Sequence, residues 1–489
     1  MKRLLPALAL LVPLAAIAPA GRAGLIEPPP AIVAMWDGKD GASVRAALLP
    51  IAALGEQPGA SARQKLESGE AAWWLGVQDE RAGRADSALV QWRRAVAMRG
   101  DFAEGFALMR VLLRSAPVQA EAYALATSYA DQARMGMPSR LAEAQGWLAW
   151  ARHLRGQNDS ALAGLAESRD VLRRRPAWTW RLAQMEYAAS DYAQAWNSLT
   201  LLSARTRGLD PGVERLLGLT QRALNYDIRY TDERRQFTVA ALRAPVEAAE
   251  QRFIGGLAAR PDSLHANDGF VVRWYRVPAR ATAHAKGPAP APLLLVLAPD
   301  DSLVAADSLA SAFAAAGRTV VLLPPRGTGA ALGPGAYGPE AWAGRPAAFT
   351  ATIAADAARV MYTLDERGQT PHAGWVVGAA GDCAPVALAI ARARKDTRAL
   401  LLVAPRLPLV EVAEYRARLR AQKTRTFVQV SPEEPDALEL GDLLSRQTAP
   451  GQVRVADSGE RGRGVAIFRA DPKIAKRLLD WLKEPGQQP

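Results

Sequence analysis

The chain has 489 residues, enough for two or three domains, and its 49% hydrophobic and 22% charged content excludes a disordered or fibrous polypeptide. The net charge is +12, but the arginines are scattered and the densest run is Arg173–Arg175, so no basic stripe suited to nucleic acid is present. A single cysteine, Cys383, excludes an intramolecular disulfide and a cysteine-based zinc site.

Lys2 and Arg3 precede an apolar run from Leu4 to Ile17, followed by small residues at Ala18-Pro19-Ala20 and Gly21-Arg22-Ala23. A basic start, a short apolar core and small residues read as a secretory signal peptide over 1–23, which predicts a periplasmic or extracellular protein. The run is shorter than the ~20 residues a spanning helix needs and is interrupted by Pro6 and Pro13, so a membrane enters only if the signal stays uncleaved. Residues 24–42, rich in proline and glycine, read as a linker.

From 43 to 224 the pattern is helical throughout, rich in alanine, leucine and tryptophan, without strand signals. Ala161 and Ala195 are 34 residues apart, as are Leu165 and Leu199, and Ala88 precedes Ala161 by 73, two such periods plus five residues. Small residues at Ala88, Ala161 and Ala195 suit points where paired helices approach closely. Over Ala71–Arg205 this resembles the tetratricopeptide repeat, in which helix–turn–helix units stack into a solenoid. The resemblance implies a concave groove lined by the first helix of each repeat. Here that groove would present Trp73 and Val77, then Trp150 and His153, then Trp180, Gln184 and Tyr187, and would take an extended peptide or protein partner. Packing of the same tryptophans between helices is the competing reading.

Residues 225–262 read as a connecting helical segment ended by Arg260-Pro261-Asp262-Ser263. From 263 to 484 strands alternate with helices, which implies a mostly parallel sheet. Strands are expected at Phe270–Val277, Leu293–Ala298, Thr319–Leu323, Trp375–Val377, Ala399–Val403, Thr426–Val430 and Gln452–Ala456. Helices are expected at Leu303–Ala316, Thr352–Leu364, Leu438–Arg446 and Pro472–Lys483, and residues 485–489 form a tail. Gly378 to Ala384 reads as a tight turn between the strand at Trp375 and a helix that begins near Pro385.

This order is similar to the α/β-hydrolase fold. The resemblance rests on the apolar strand ending in Ala298-Pro299, on Arg326-Gly327-Thr328-Gly329, and on the strand–turn–helix of Gly374–Ala393. The fold class expected for the whole chain is therefore a helical-repeat solenoid followed by a mostly parallel, doubly wound sheet of α/β-hydrolase type. The resemblance implies a nucleophile at the turn, an acid after a later strand and a histidine after the last one. The valines of the strand set a register that puts Ala380 at the nucleophile position. The helix that follows sets another, at Gly381, and two more place Asp382 or Cys383 there. The acid position falls in Ser431-Pro432-Glu433-Glu434-Pro435-Asp436, at Glu434 or Asp436. No histidine follows His372, and Arg461-Gly462 stands where a His-Gly pair is expected. Arginine stays protonated and cannot act as a general base. Pro299 lacks an N–H, and Asp300 and Asp301 crowd the turn that would stabilise an oxyanion.

The reading is an exported binding or scaffold protein whose hydrolase-like domain has lost its triad. The repeats recruit a partner, the old pocket offers room for a small acyl-type ligand, and no cofactor or metal is implied. An active esterase or lactonase using Cys383 or Asp382 with an unrecognised base is the alternative.

Overall fold

A computed structural model describes residues 41–99, 108–109, 112–113, 120–136, 138–206, 208, 210–224, 228–266, 268–280, 290–328, 331, 346–369, 374–407, 424–434, 437–438, 440–441, 445, 453–459 and 462–484. The signal and linker readings at 1–40, the tail at 485–489, and His284, His372, Asp436 and Arg461 lie outside the described residues.

The N-terminal region is helical. Its elements are α1 (Gly41–Leu54), α2 (Ala62–Arg81), α3 (Ala85–Arg99), α4 (Ala120–Gly136), α5 (Leu141–Leu154), α6 (Asn158–Ala163), α7 (Arg169–Arg173), α8 (Pro176–Ala188), α9 (Tyr192–Arg205), α10 (Pro211–Ala223) and α11 (Ile228–Gly256). Neighbouring helices pack in sequence, α2 on α3, α5 on α6, α8 on α9 and α9 on α10. Ala88, Ala161 and Ala195 are all fully buried, as close helix approach requires.

The helix–turn–helix units share one turn. Gly83, Gly156 and Ser190 stand 73 and 34 residues apart and all have positive φ, at 73°, 76° and 60°. In each, the next residue donates its N–H to the carbonyl five positions back: Arg84 to Asp79, Gln157 to Arg152, Asp191 to Glu186. This left-handed cap ends the first helix and turns the chain into the second. The helical region thus repeats in backbone geometry as well as in sequence.

The second region is an eight-stranded sheet in the order β1-β2-β4-β3-β5-β6-β7-β8. The strands are β1 (Arg260–His265), β2 (Val271–Val277), β3 (Leu293–Val296), β4 (Val320–Leu323), β5 (Trp375–Ala380), β6 (Thr397–Val403), β7 (Arg425–Val430) and β8 (Val453–Asp457). β1 and β2 pair antiparallel, and β2 pairs antiparallel with β4; all further pairs are parallel. β3, β4, β5 and residues 399–403 of β6 carry no polar side chain because helices cover both faces. On one face lie α13 (Pro346–Glu366) and α14 (Ala384–Ala393), contributing Ile353, Val360, Val386 and Ile390. On the other lie α12 (Asp307–Ala315) and α15 (Pro472–Lys483), contributing Leu309, Phe313, Ile474 and Leu478. This is a mostly parallel sheet consistent with an α/β-hydrolase-like fold.

Two expectations change. Arg260-Pro261-Asp262-Ser263, read as the end of a helix, opens β1, so the sheet begins at Arg260 rather than after residue 262. The strand at Trp375 continues through Gly378, Ala379 and Ala380, all buried, so the turn is shorter and later than Gly378–Ala384. Gly378, Ala379 and Ala380 pair in register with Leu401, Leu402 and Val403 of β6, which holds them extended.

Candidate functional site

The carboxyl ends of the parallel strands converge on one place, where a fold of this kind binds its ligands. After β5 the chain makes a single 3-10 turn, Gly381–Cys383, and enters α14 with Pro385 in its first turn. The apex is Gly381, with φ +50°. Ala380 is extended and fully buried at the end of β5. Ala380, the register taken from the valines, therefore lies in the strand, and Gly381, the register taken from the helix that follows, lies at the turn. The difference has a simple cause. Small apolar residues look like a turn in sequence, but here they sit between β3 and β6, where no larger side chain is needed.

Gly381 carries no side chain, and the space beside it is taken. A Cβ there would lie 2.5 Å from Arg406 Nη2 and 2.9 Å from the Ala298 Cβ. Arg406 comes from the loop after β6. Ala404 has φ +43°, an uncommon conformation for a residue with a Cβ, and Arg406 folds back so that its N–H donates to the Gly381 carbonyl at 3.1 Å. Its guanidinium makes two hydrogen bonds to Asp300, Nη2–Oδ1 at 2.6 Å and Nη1–Oδ2 at 3.1 Å. It also pairs with Asp382 at 3.3 Å and Glu434 at 3.8 Å. Burial opposes the charge of Arg406, but Asp300, Asp382 and Glu434 hold its pKa well above the ordinary value. Burial likewise opposes ionisation of Asp300, and the Arg406 charge and hydrogen bonds keep its pKa low.

Asp301 behaves oppositely. It is half-buried beside Asp300, and desolvation followed by the Asp300 charge raises its pKa to about 8. Its Oδ2 accepts the Ala298 N–H at 3.2 Å. The N–H of Ala298 is thus already used. Gly464 approaches so closely that a Cβ would fall 2.3 Å from Asp301 Oδ1, which fixes the loop after β8 against the loop after β3.

The remaining candidates separate clearly. Cys383 is fully buried, and burial followed by the charges of Asp382, Asp301 and Asp300 pushes its thiol pKa well up, so the thiolate is disfavoured. Asp382 is the accessible one, with 41% of its side chain exposed while it pairs with Arg406. Glu434 is buried in the turn after β7, where its N–H donates to the Ser431 carbonyl. Arg461 lies outside the described residues; among those described, Arg406 meets these carboxylates. Nothing in the sequence marked it: it follows Ala404-Pro405 in a loop and belongs to no motif. Four loops from distant parts of the chain had to be brought together before its role was visible.

The expected groove residues divide as well. Trp73, Val77 and Trp180 are buried in helix–helix cores, which corrects their assignment to an open surface. Trp73 packs edge-on against Trp74 at 4.5 Å, and its carbonyl accepts the Trp92 indole N–H. Trp150, His153, Gln184 and Tyr187 are half-buried. His153 stacks on Trp150 at 5.0 Å and shares a 2.8 Å hydrogen bond with Asn158; burial lowers its pKa, so the ring is held neutral. Arg181 lies within 4.7, 5.7 and 4.9 Å of the Trp147, Trp150 and Trp178 rings. Among the described residues no cluster of three or more histidine, cysteine or acidic side chains could hold a metal ion, and no helix is long and apolar enough to cross a membrane.

No protein-family model matches the chain, and no curated protein matches it. Among solved structures, the esterase domain of a Rhodothermus marinus protein is similar at 10% identity and TM-score 0.34, over 46% of this chain and 97% of that one. An esterase of Pyrococcus furiosus is similar at 12% identity and TM-score 0.35, over 47% and 94%. An acetyl xylan esterase from Paenibacillus sp. R4 is similar at 13% identity and TM-score 0.34, over 49% and 92%.

Proposed function

We propose that the chain acts by binding, and that its α/β domain no longer carries out the nucleophilic chemistry of the hydrolases it resembles. The observation that carries this reading is Gly381 at the apex of the turn, with Arg406 filling the space a nucleophile would need. An acyl transfer there would require a side chain that Gly381 lacks and a base that Arg406 cannot supply. It would also need an oxyanion donor, and the Ala298 N–H is engaged by Asp301. Placing a developing negative charge among Asp300, Asp382 and Glu434 would raise the barrier further.

The helical repeats are the recruiting element in this reading, of tetratricopeptide type. The surface around Trp150, His153, Gln184 and Tyr187 combines aromatic area with polar edges and suits an extended peptide. The basic and apolar pattern of residues 1–23 supports export to the periplasm or beyond, and a small acyl-type ligand against Asp382 is compatible with binding without turnover.

The test is hydrolysis of short acyl esters and lactones by the purified protein, beside Asp382→Asn and Cys383→Ala. No turnover above the buffer rate is expected for any of the three. Turnover in the parent that vanishes in Asp382→Asn would overturn the proposal and make Asp382, the accessible carboxylate, the nucleophile.

A further inference from the structure

The antiparallel edge of the sheet carries two like charges face to face. The register of β1 on β2 sets Arg260 directly opposite Arg276, Asp262 opposite Trp274 and Leu264 opposite Val272. Side chains alternate along a strand, so these six share one face. Leu264, Trp274 and Val272 pack into the core covered by α13 and α14. The two arginines therefore stand at the rim of that face. Tyr275 and Val277, of the other parity, pack on the opposite face with α12 and α15. Arg276 also pairs with Val321, near the start of β4, which places it toward the end of the sheet remote from Gly381.

Like charges directly opposite one another in a sheet are destabilising. Among the described residues, neither guanidinium meets a hydrogen-bond acceptor or a carboxylate at ion-pair distance. The carboxylate beside them, Asp262, is already engaged. Its Oδ2 accepts from Arg367 Nη1 at 2.6 Å, and its Oδ1 accepts the Ser263 N–H at 2.8 Å. Arg260 is exposed and Arg276 half-buried. Burial, then the Arg260 charge, lowers the Arg276 pKa, and Asp262 offsets part of this. An anion shared by the two arginines would turn their repulsion into attraction. A carboxylate has two oxygens, which a single guanidinium fork uses up. A phosphate group carries nearly two negative charges and at least three acceptor oxygens, enough for two forks.

We propose that Arg260 and Arg276 form an anion site that takes a phosphate group, as inorganic phosphate or as a phosphomonoester, shared between the two guanidinium groups. Binding there would fasten the edge strand β1 to β2. The site is separate from the turn at Gly381 and holds whether or not that turn supports hydrolysis.

The test is thermal unfolding of the full chain in chloride, acetate, inorganic phosphate or glycerol 3-phosphate, at matched ionic strength and neutral pH. The parent is compared with Arg260→Gln, Arg276→Gln and Arg273→Gln. Arg273 is an exposed arginine of β2 on the opposite face, so its variant removes the same charge without touching the pair. Phosphate or its ester is expected to raise the midpoint of the parent and of Arg273→Gln by about 2 °C or more over chloride. Arg260→Gln and Arg276→Gln are expected to lose that shift. In chloride, Arg260→Gln is expected to melt no lower than the parent, because it removes a repulsion. If Arg276→Gln fails to fold, Arg260→Gln, at an exposed position, still decides. Hydrogen–deuterium exchange places the effect: phosphate is expected to slow exchange in β1 and β2 of the parent and not of Arg260→Gln. A response at lower concentration to the ester assigns a phosphomonoester, and the reverse order assigns the free ion. No shift in phosphate or ester, an equal shift in acetate, or a shift that persists in Arg260→Gln would each overturn the proposal.

Discussion

Asp301 and Asp300 are adjacent carboxylates with opposite fates, and the difference sets a pH dependence. Asp301 moves from an ordinary 3.8 to about 8 because desolvation and then the Asp300 charge raise it. Between pH about 4 and about 8 the folded chain therefore holds a proton that the unfolded chain has lost, and stability falls as pH rises, by at most about 1.4 kcal/mol per pH unit. Asp300 has the reverse sign: its pKa is depressed, so its contribution is present above the unfolded value and is lost only as pH falls below it. The two windows meet near pH 4 and do not mask each other. Asp301→Asn mimics the protonated form and keeps an oxygen for the Ala298 N–H. Urea unfolding at steps from pH 5 to 8 should show the parent losing stability and this variant losing less. Burial also raises the carboxyls of Glu186 and Asp356, which leave a residual slope in both proteins. Parallel slopes would mean that Asp301 does not hold the proton. That two acidic residues crowd the turn was legible from Asp300-Asp301 alone. Their division into one ionised and one neutral group was not, because it depends on Arg406, 106 residues away.

At the scale of elements, the repeated turn gives a direct test. Gly83, Gly156 and Ser190 occupy equivalent left-handed positions, but only glycine adopts that conformation without steric cost. Ser190 is exposed, so its side chain buries little that a glycine would forfeit. Ser190→Gly should therefore stabilise the chain by about 0.5–1 kcal/mol, read as a higher urea midpoint with an unchanged slope. A lower midpoint would show that the serine side chain does more than occupy the turn. The periods of 34 and 73 residues were legible because alanine recurs where helices touch. The apolar runs of β3, β4 and the later part of β6 were legible because strands covered on both faces have no alternation to hide. β1 was not, since it is an edge strand of alternating exposure whose Arg260-Pro261-Asp262 reads as a break. The groove residues were misread for a related reason. A tryptophan on a helix looks the same in sequence whether its ring faces a partner or the next helix, and Trp73 and Trp180 face the next helix.

For the whole molecule the question is what the excess of positive charge does. Many of the arginines are committed to ion pairs rather than to a common surface. Arg406 is 7% exposed among its carboxylates, and Arg326 is 3% exposed. Arg326 pairs through two nitrogens with Asp356 at 2.6 and 2.7 Å, also pairs with Asp268, and stacks on Phe270. Such buried pairs are barely screened by salt, whereas exposed pairs such as Arg63–Glu67 are worth little to begin with. The net charge of +12 adds a self-repulsion that salt relieves. These effects act in one direction. Raising NaCl from ~0.05 M to ~0.5 M should leave the thermal midpoint unchanged or raise it by a few degrees, because only the unfavourable term is screened. A fall of more than about 5 °C would mean that exposed ion pairs carry the fold, at the ~2–4 °C per kcal/mol expected for large domains.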